Sequence, residues 1–150
     1  MENNKIAKSL RLSEYAPASC ALLALGFLLA GAFAQAASPS GNPTERLVFQ
    51  EKLPNAPGKS LTAVTVSFPP GGKAGVHHHG GSVFAFVISG TIRSENSATG
   101  PTRVYEAGES FFEPPDSVHL ITENASTSEE ASLLAVFIAA DDAKLTEPGK

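Results

Sequence analysis

The chain has one cysteine in 150 residues, only four histidines, and no run of basic side chains after its first dozen residues. A lone cysteine, Cys20, can form no intrachain disulfide, so the fold must be held by its core and by any subunit contacts. Without a basic run, nucleic acid and anionic membrane surfaces are not expected partners. From residue 44 onward no stretch has helical periodicity, and no internal repeat or low-complexity segment is present. A helical fold and a repeat architecture are therefore not expected. The length suits one domain with one modest core.

Charge is missing altogether between Tyr15 and Thr44. Lys5, Lys8 and Arg11 precede this gap, CALLALGFLLAGAFA lies within it, and the small-residue sites Ala32-Phe33-Ala34 and Ala34-Gln35-Ala36 follow. Basic, apolar, then A-x-A is the order of a secretory signal peptide, expected here over residues 1–36. The alternative is an uncleaved anchor, but the most apolar part, Ala21 to Ala34, falls short of the ~20 residues a spanning helix needs. Cleavage after Ala36, or after Ala34, removes Cys20. The mature domain, 37–150, then keeps 8 basic and 13 acidic residues, a net charge of −5. The expected location is outside the cytoplasm, periplasmic or secreted. A membrane would be met only through an uncleaved leader, and a homodimer is the assembly left open.

The rest of the chain consists of short extended segments. Ser38 to Pro43 is a turn-rich entry expected to be mobile. Arg46–Leu53 and Leu61–Phe68 read as strands, the second with Val64, Val66 and Phe68 alternating with Thr65 and Ser67. Ser82–Ser89 is continuously apolar, which predicts a strand covered on both faces. Thr91–Glu95, Thr102–Glu106, Ser110–Glu113, a strand opening at His119, and Ser132–Ala140 follow, each bounded by Gly, Pro or Asn turns. Phe84, Phe86, Phe111 and Phe112 are expected in the core and pocket wall, and the charged tail from Asp141 is expected to fray. Strands at this spacing predict an all-β sandwich or barrel, with a core spanning about residues 46–140.

All four histidines fall at two places. Along an extended chain alternate side chains share a face, so His77 and His79 point together and His78 points away. Two imidazoles on one face are half of a metal site, and His119 is the remaining histidine that could join them.

These stretches resemble the two motifs of the cupins, of the small single-domain conserved-barrel kind (cupin type 2). The first motif runs Gly, five residues, His-x-His, three residues, Glu, six residues, Gly. Gly71, His77, His79 and Gly90 match it, and Val83 stands where the Glu would be. The second runs Gly, five residues, Pro-x-Gly, two residues, His, three residues, Asn. Gly108, Pro114 and His119 match; Asp116 replaces Gly, and Asn124 falls one place late, with Glu123 at its position. The resemblance implies a jelly-roll β-barrel whose metal is held by His77, His79 and His119.

Val83 cannot coordinate, which leaves two readings. In one the metal is gone and the barrel binds only a ligand. In the other the site is a three-histidine type, favoured because the other three ligands are kept. Three neutral imidazoles would hold a divalent ion (Fe, Zn, Mn, Cu or Ni) with open positions for a chelating substrate. Glu113 sits in an apolar strand, where a carboxylate must be paired or ligating. The expected pairing is a salt bridge at the barrel mouth with Arg93 or Arg103, and the alternatives are the missing ligand or a catalytic base. The function expected is metal-dependent oxygenation, ahead of isomerisation, of a small anionic or enolisable molecule. A non-catalytic ligand- or metal-binding barrel, and a merely packed structural barrel, are the rival readings.

Overall fold

The structure, a computed structural model, describes residues 41–149. The expected leader, with Cys20, lies outside the described residues. Among those described there is no helix. Ten strands follow in order: β1 Thr44–Lys52, β2 Lys59–Phe68, β3 His77–His78, β4 Gly81–Ser89, β5 Thr91–Asn96, β6 Gly100–Glu106, β7 Ser110–Glu113, β8 Val118–Asn124, β9 Ala131–Ala140 and β10 Glu147–Pro148. They form two five-stranded antiparallel sheets, ordered β1-β2-β9-β4-β7 and β10-β3-β8-β5-β6. Phe68, Val83, Val87, Leu133 and Phe137 from the first sheet and Ile92 from the second make the buried core between them. This is an all-β fold, as the alternating strands and their turns predict, and the jelly roll that the cupin resemblance implies.

Two expectations are corrected. The β4 strand is not covered on both faces. Val83, Ala85 and Val87 point into the core, while Phe84, Phe86 and Ile88 stand exposed on the outer face. Phe112 is exposed beside Phe84, its cross-strand partner, so of the four phenylalanines only Phe111 turns inward, against Tyr105. Apolar residues therefore cross the whole outer face in one row, Phe49–Ala63–Val136–Phe84–Phe112, set by the strand register. Continuous apolarity cannot distinguish a strand buried on both faces from one with an apolar outer face. Second, the charged tail does not fray: β10 pairs with β3, placing Glu147 opposite His78 and Pro148 opposite His77. Of the entry segment Ser38 to Pro43, residues 38–40 lie outside the described residues, and Pro43 lines the cavity described below.

The two departures in the second motif have local explanations. Asp116 has φ of +60°, the left-handed conformation that glycine adopts freely and Asp tolerates better than most residues. In β8 the register against β5 skips Leu120, with Asn96 opposite His119 and Glu95 opposite Ile121. That bulge takes up one residue, so the late Asn124 is still buried. Its amide donates to the carbonyls of Pro69 and Glu129 and accepts from the Ser126 N–H, tying two loops together.

Candidate metal centre

Three elements bring the histidines together. His77 lies on β3, His79 just after it, and β3 pairs with β8 so that His77 is directly opposite His119. The turn at Pro114–Asp116 is fixed to the same place, because the Asp116 N–H donates to the His79 carbonyl. One nitrogen of each ring lies within 4.8 Å of a nitrogen of each other ring. The His77 ring is 4.8 Å from that of His79 and 5.1 Å from that of His119, centroid to centroid. His78 is outside the cluster, as its parity predicts, paired in the ladder with Val118 and Glu147.

Each imidazole engages one nitrogen outside the cluster. His77 Nδ1 lies 2.7 Å from the Gly75 carbonyl, and His79 Nδ1 lies 2.8 Å from the Leu145 carbonyl and 3.2 Å from Thr146 Oγ1. A carbonyl can only accept, so both rings carry their proton on Nδ1 and leave Nε2 with a free lone pair. His119 uses Nε2, 2.8 Å from Ser94 Oγ, and its buried Nδ1 has no directed hydrogen-bond partner among the described residues. Outer hydrogen bonds that fix tautomer and ring orientation are the usual support of metal-ligating histidine. Burial is the main cause that lowers the pKa of both His77 and His79, which keeps the rings neutral and able to ligate. The residues present thus fit a divalent ion.

Glu113 does not pair with an arginine. Arg93 pairs with Glu123, and the Arg103 guanidinium lies over the Tyr105 ring, so neither arginine meets it. It is buried, with Oε2 3.0 Å from His119 Nδ1 and 3.8 Å from His79 Nε2. The 3.0 Å contact is short but poorly aimed for a hydrogen bond, consistent with a His119 Nδ1 that has no directed partner. Asn96 Nδ2 donates weakly to the same carboxylate at 3.3 Å. Burial alone would raise the Glu113 pKa. The adjoining His119 and the charge the imidazoles can carry outweigh burial, and the carboxyl is held below its ordinary value. A salt bridge to arginine is therefore replaced by an ionised carboxylate at the edge of the histidine cluster.

The cluster faces a cavity of about 340 Å³. Its walls are mostly apolar, with Val64, Val66, Phe68, Leu133 and Phe137 prominent, so the barrel is not merely packed. Sequence reasoning missed two contributors. Leu145, Thr146 and Pro148 of the tail close one side. Thr122 also lines the cavity, and its hydroxyl, enclosed by the protein, has no hydrogen-bond partner among the described residues. The bulge at Leu120 gives no local signal, and it places Thr122 opposite the buried Ser94 while His119 stays opposite the buried Asn96.

Residues 64–137 match the cupin domain family. No curated protein matches the sequence. Among solved structures, an uncharacterized conserved protein with a double-stranded β-helix domain from Klebsiella pneumoniae is 22% identical, with a TM-score of 0.57 over 73% of this chain and 86% of that one. The DMSP lyase DddQ from Ruegeria pomeroyi is 19% identical, with a TM-score of 0.51 over 59% of this chain and 42% of the lyase. Oxalate oxidase, solved with the substrate analogue glycolate, is 22% identical, with a TM-score of 0.50 over 58% of this chain and 45% of the oxidase. At such identities the likeness is one of fold. With two motifs carrying a clustered histidine triad inside a jelly roll, and the family match across the strands that hold it, the chain belongs to the cupin superfamily.

Proposed function

We propose that this cupin is an exported, metal-dependent enzyme that moves a proton on a small enolisable molecule. The observation that carries the reading is the convergence, at one end of an apolar cavity, of three imidazoles and an ionised carboxylate. His77, His79 and His119 hold the ion, and their neutral donor set suits Fe, Zn, Cu or Ni, with Mn also within reach. A divalent ion there supplies Lewis-acid polarisation of a substrate oxygen. Glu113 is the base. A C–H bond beside the carbonyl breaks, an O–H bond forms on Glu113, and the released electron pair moves toward the carbonyl oxygen. The apolar walls lower the local dielectric, which strengthens each electrostatic contact inside. The histidine set read from the sequence favours oxygenation; the placement of Glu113 beside it favours proton transfer. The lyase and oxidase among the structural neighbours support a small-molecule enzyme on this fold without supporting either reaction, since one fold hosts many chemistries.

The test is calorimetric titration of the purified protein with Mn(II), then deuterium incorporation beside the carbonyl of hydroxyacetone in D2O. About one ion per chain is expected. Glu113→Gln should slow the exchange by at least ~100-fold while keeping the ion within a few-fold of wild-type affinity. Unchanged affinity in His119→Ala would overturn the site. Ion binding without exchange would leave a non-catalytic binding barrel.

A further inference from the structure

Behind the histidine cluster, β5 buries two polar side chains on one face, Ser94 and Asn96, at 5% and 4% exposure. Neither lines the cavity. Ser94 reaches His119 Nε2, whereas Asn96, opposite His119 in the β5–β8 ladder, reaches Glu113. A buried side-chain amide carries two donor hydrogens and one acceptor oxygen, and each needs a partner.

The hydrogen bonds of Asn96 can run in one direction only. The Pro114 carbonyl can only accept, so Ser117 Oγ donates to it at 2.7 Å and spends its single hydrogen. Ser117 Oγ must then accept from Asn96 Nδ2, at 3.0 Å. On the other side Asn96 Oδ1 accepts from the Ala98 N–H at 2.9 Å, which fixes the orientation of the amide. The second hydrogen on Nδ2 is left for Glu113 Oε2, 3.3 Å away. That oxygen must therefore offer a lone pair, and it is the same oxygen that lies 3.0 Å from His119 Nδ1. Glu113 Oε1 has no hydrogen bond among the described residues, yet it is not enclosed by the protein as His119 Nδ1 is, and Glu113 lines the cavity. The two carboxylate oxygens are thus unlike. Oε2 is held from behind, and Oε1 is open in front.

We propose that Asn96 is a positioning residue for the base, holding Glu113 Oε2 as an acceptor so that Oε1 is the oxygen that takes the substrate proton. This deepens the proton-transfer reading and rests on it. The C–H bond beside the carbonyl breaks, the proton bonds to Oε1, and the electron pair moves toward the carbonyl oxygen. Asn96 does not touch the substrate. It sets the plane of the carboxylate, and a reacting atom held in one orientation needs no search for it at the moment of transfer. The contacts through Ser117 to Pro114 tie that orientation to the turn that follows β7.

NMR of the Asn96 side-chain amide reads the contact. Its two Nδ2 protons should be distinct, one moving in Glu113→Gln and the other in Ser117→Ala, because a neutral acceptor binds a donor more weakly than a charged one. Asn96→Asp keeps the acceptor for the Ala98 N–H and removes both donors. It should lower the Tm, and adding Glu113→Gln should recover at least about half of the loss, since the new amide can donate to the new carboxylate. In hydroxyacetone exchange with Mn(II)-loaded protein, Asn96→Asp should lower kcat about 10- to 100-fold and leave KM within a few-fold. Losses that simply add in the double variant, or an Asn96 amide unmoved by Glu113→Gln, overturn the contact. An unchanged kcat in Asn96→Asp overturns the positioning role. Exchange as fast in Glu113→Gln as in wild type is a different result, and overturns the base itself.

Discussion

Val83 and Glu113 face each other directly across strands β4 and β7, both almost fully buried at 1% and 3% exposure. Val83 is the position where the first motif would carry its glutamate. The carboxylate missing from one strand is present on its neighbour, so the barrel keeps three histidines and one acidic group. The acid now arises from β7, against His119 and His79.

Val83→Glu should therefore set two carboxyls opposite one another, an unfavourable pairing when both are charged. In metal-free protein this should cost about 1–3 kcal/mol of stability, the order found for burying a polar group without a partner. Mn(II) should restore much of the loss, since two carboxylates suit a hard ion. The exchanged pair Val83→Glu with Glu113→Val should bind Mn(II) and lose proton transfer. Thermal melting with and without Mn(II) checks this; a Val83→Glu protein as stable as wild type would contradict the observed facing.

The metal-free fold should weaken in acid through two windows. His77 and His79 have pKa values lowered from 6.5 by burial, so the unfolded chain binds more protons as the pH falls below 6.5. Their contribution is present above 6.5 and is lost as pH falls through the folded values. Glu113, lowered from 4.5, contributes stability above 4.5 that is lost as pH falls through its own folded value. Melting temperature measured from pH 8 to pH 3 should fall monotonically, and metal affinity should fall with it, because only neutral imidazole ligates. A Tm that rises on acidification from pH 7 to pH 5 would contradict the buried, neutral rings.

Truncation after Asp142 should loosen the site without unfolding the barrel. It removes the Leu145 carbonyl and the Thr146 hydroxyl that hold His79 Nδ1, together with β10. Outer contacts of this kind are worth about 10–100-fold in metal affinity. Asp141 stays, keeping its bonds to Ser60 and Lys52. Calorimetry on the shortened chain decides, and undiminished affinity would show that the tail only covers the cavity.

The export proposal is tested by mass spectrometry of protein recovered from outside the cytoplasm. The N-terminus should lie at or near Ala37, and no free thiol should remain because Cys20 departs with the leader. Intact Met1–Lys150 in the membrane fraction would indicate an anchor.

The sequence alone determined what depends on local period. His77 and His79 share a face, and His78 does not, because side chains alternate along an extended backbone. The strand boundaries follow from Gly, Pro and Asn punctuation, and the fold class from their spacing. Asn124, one residue late in its motif, was visible as an anomaly, but the bulge at Leu120 that absorbs it was not. Register, bulges and chain-end pairing arise from contacts between residues distant in sequence, and only the tertiary structure decided them. It placed Glu113 opposite Val83 and among imidazoles rather than beside Arg93 or Arg103. It turned Phe84 and Phe86 outward, although an apolar run alone suggested burial. It carried the Leu145 carbonyl to His79, 66 residues away in sequence, and set Thr122 on the cavity wall. A hydrogen bond or a cross-strand pair across such a separation leaves no mark on either residue's neighbours, so local pattern cannot reveal it.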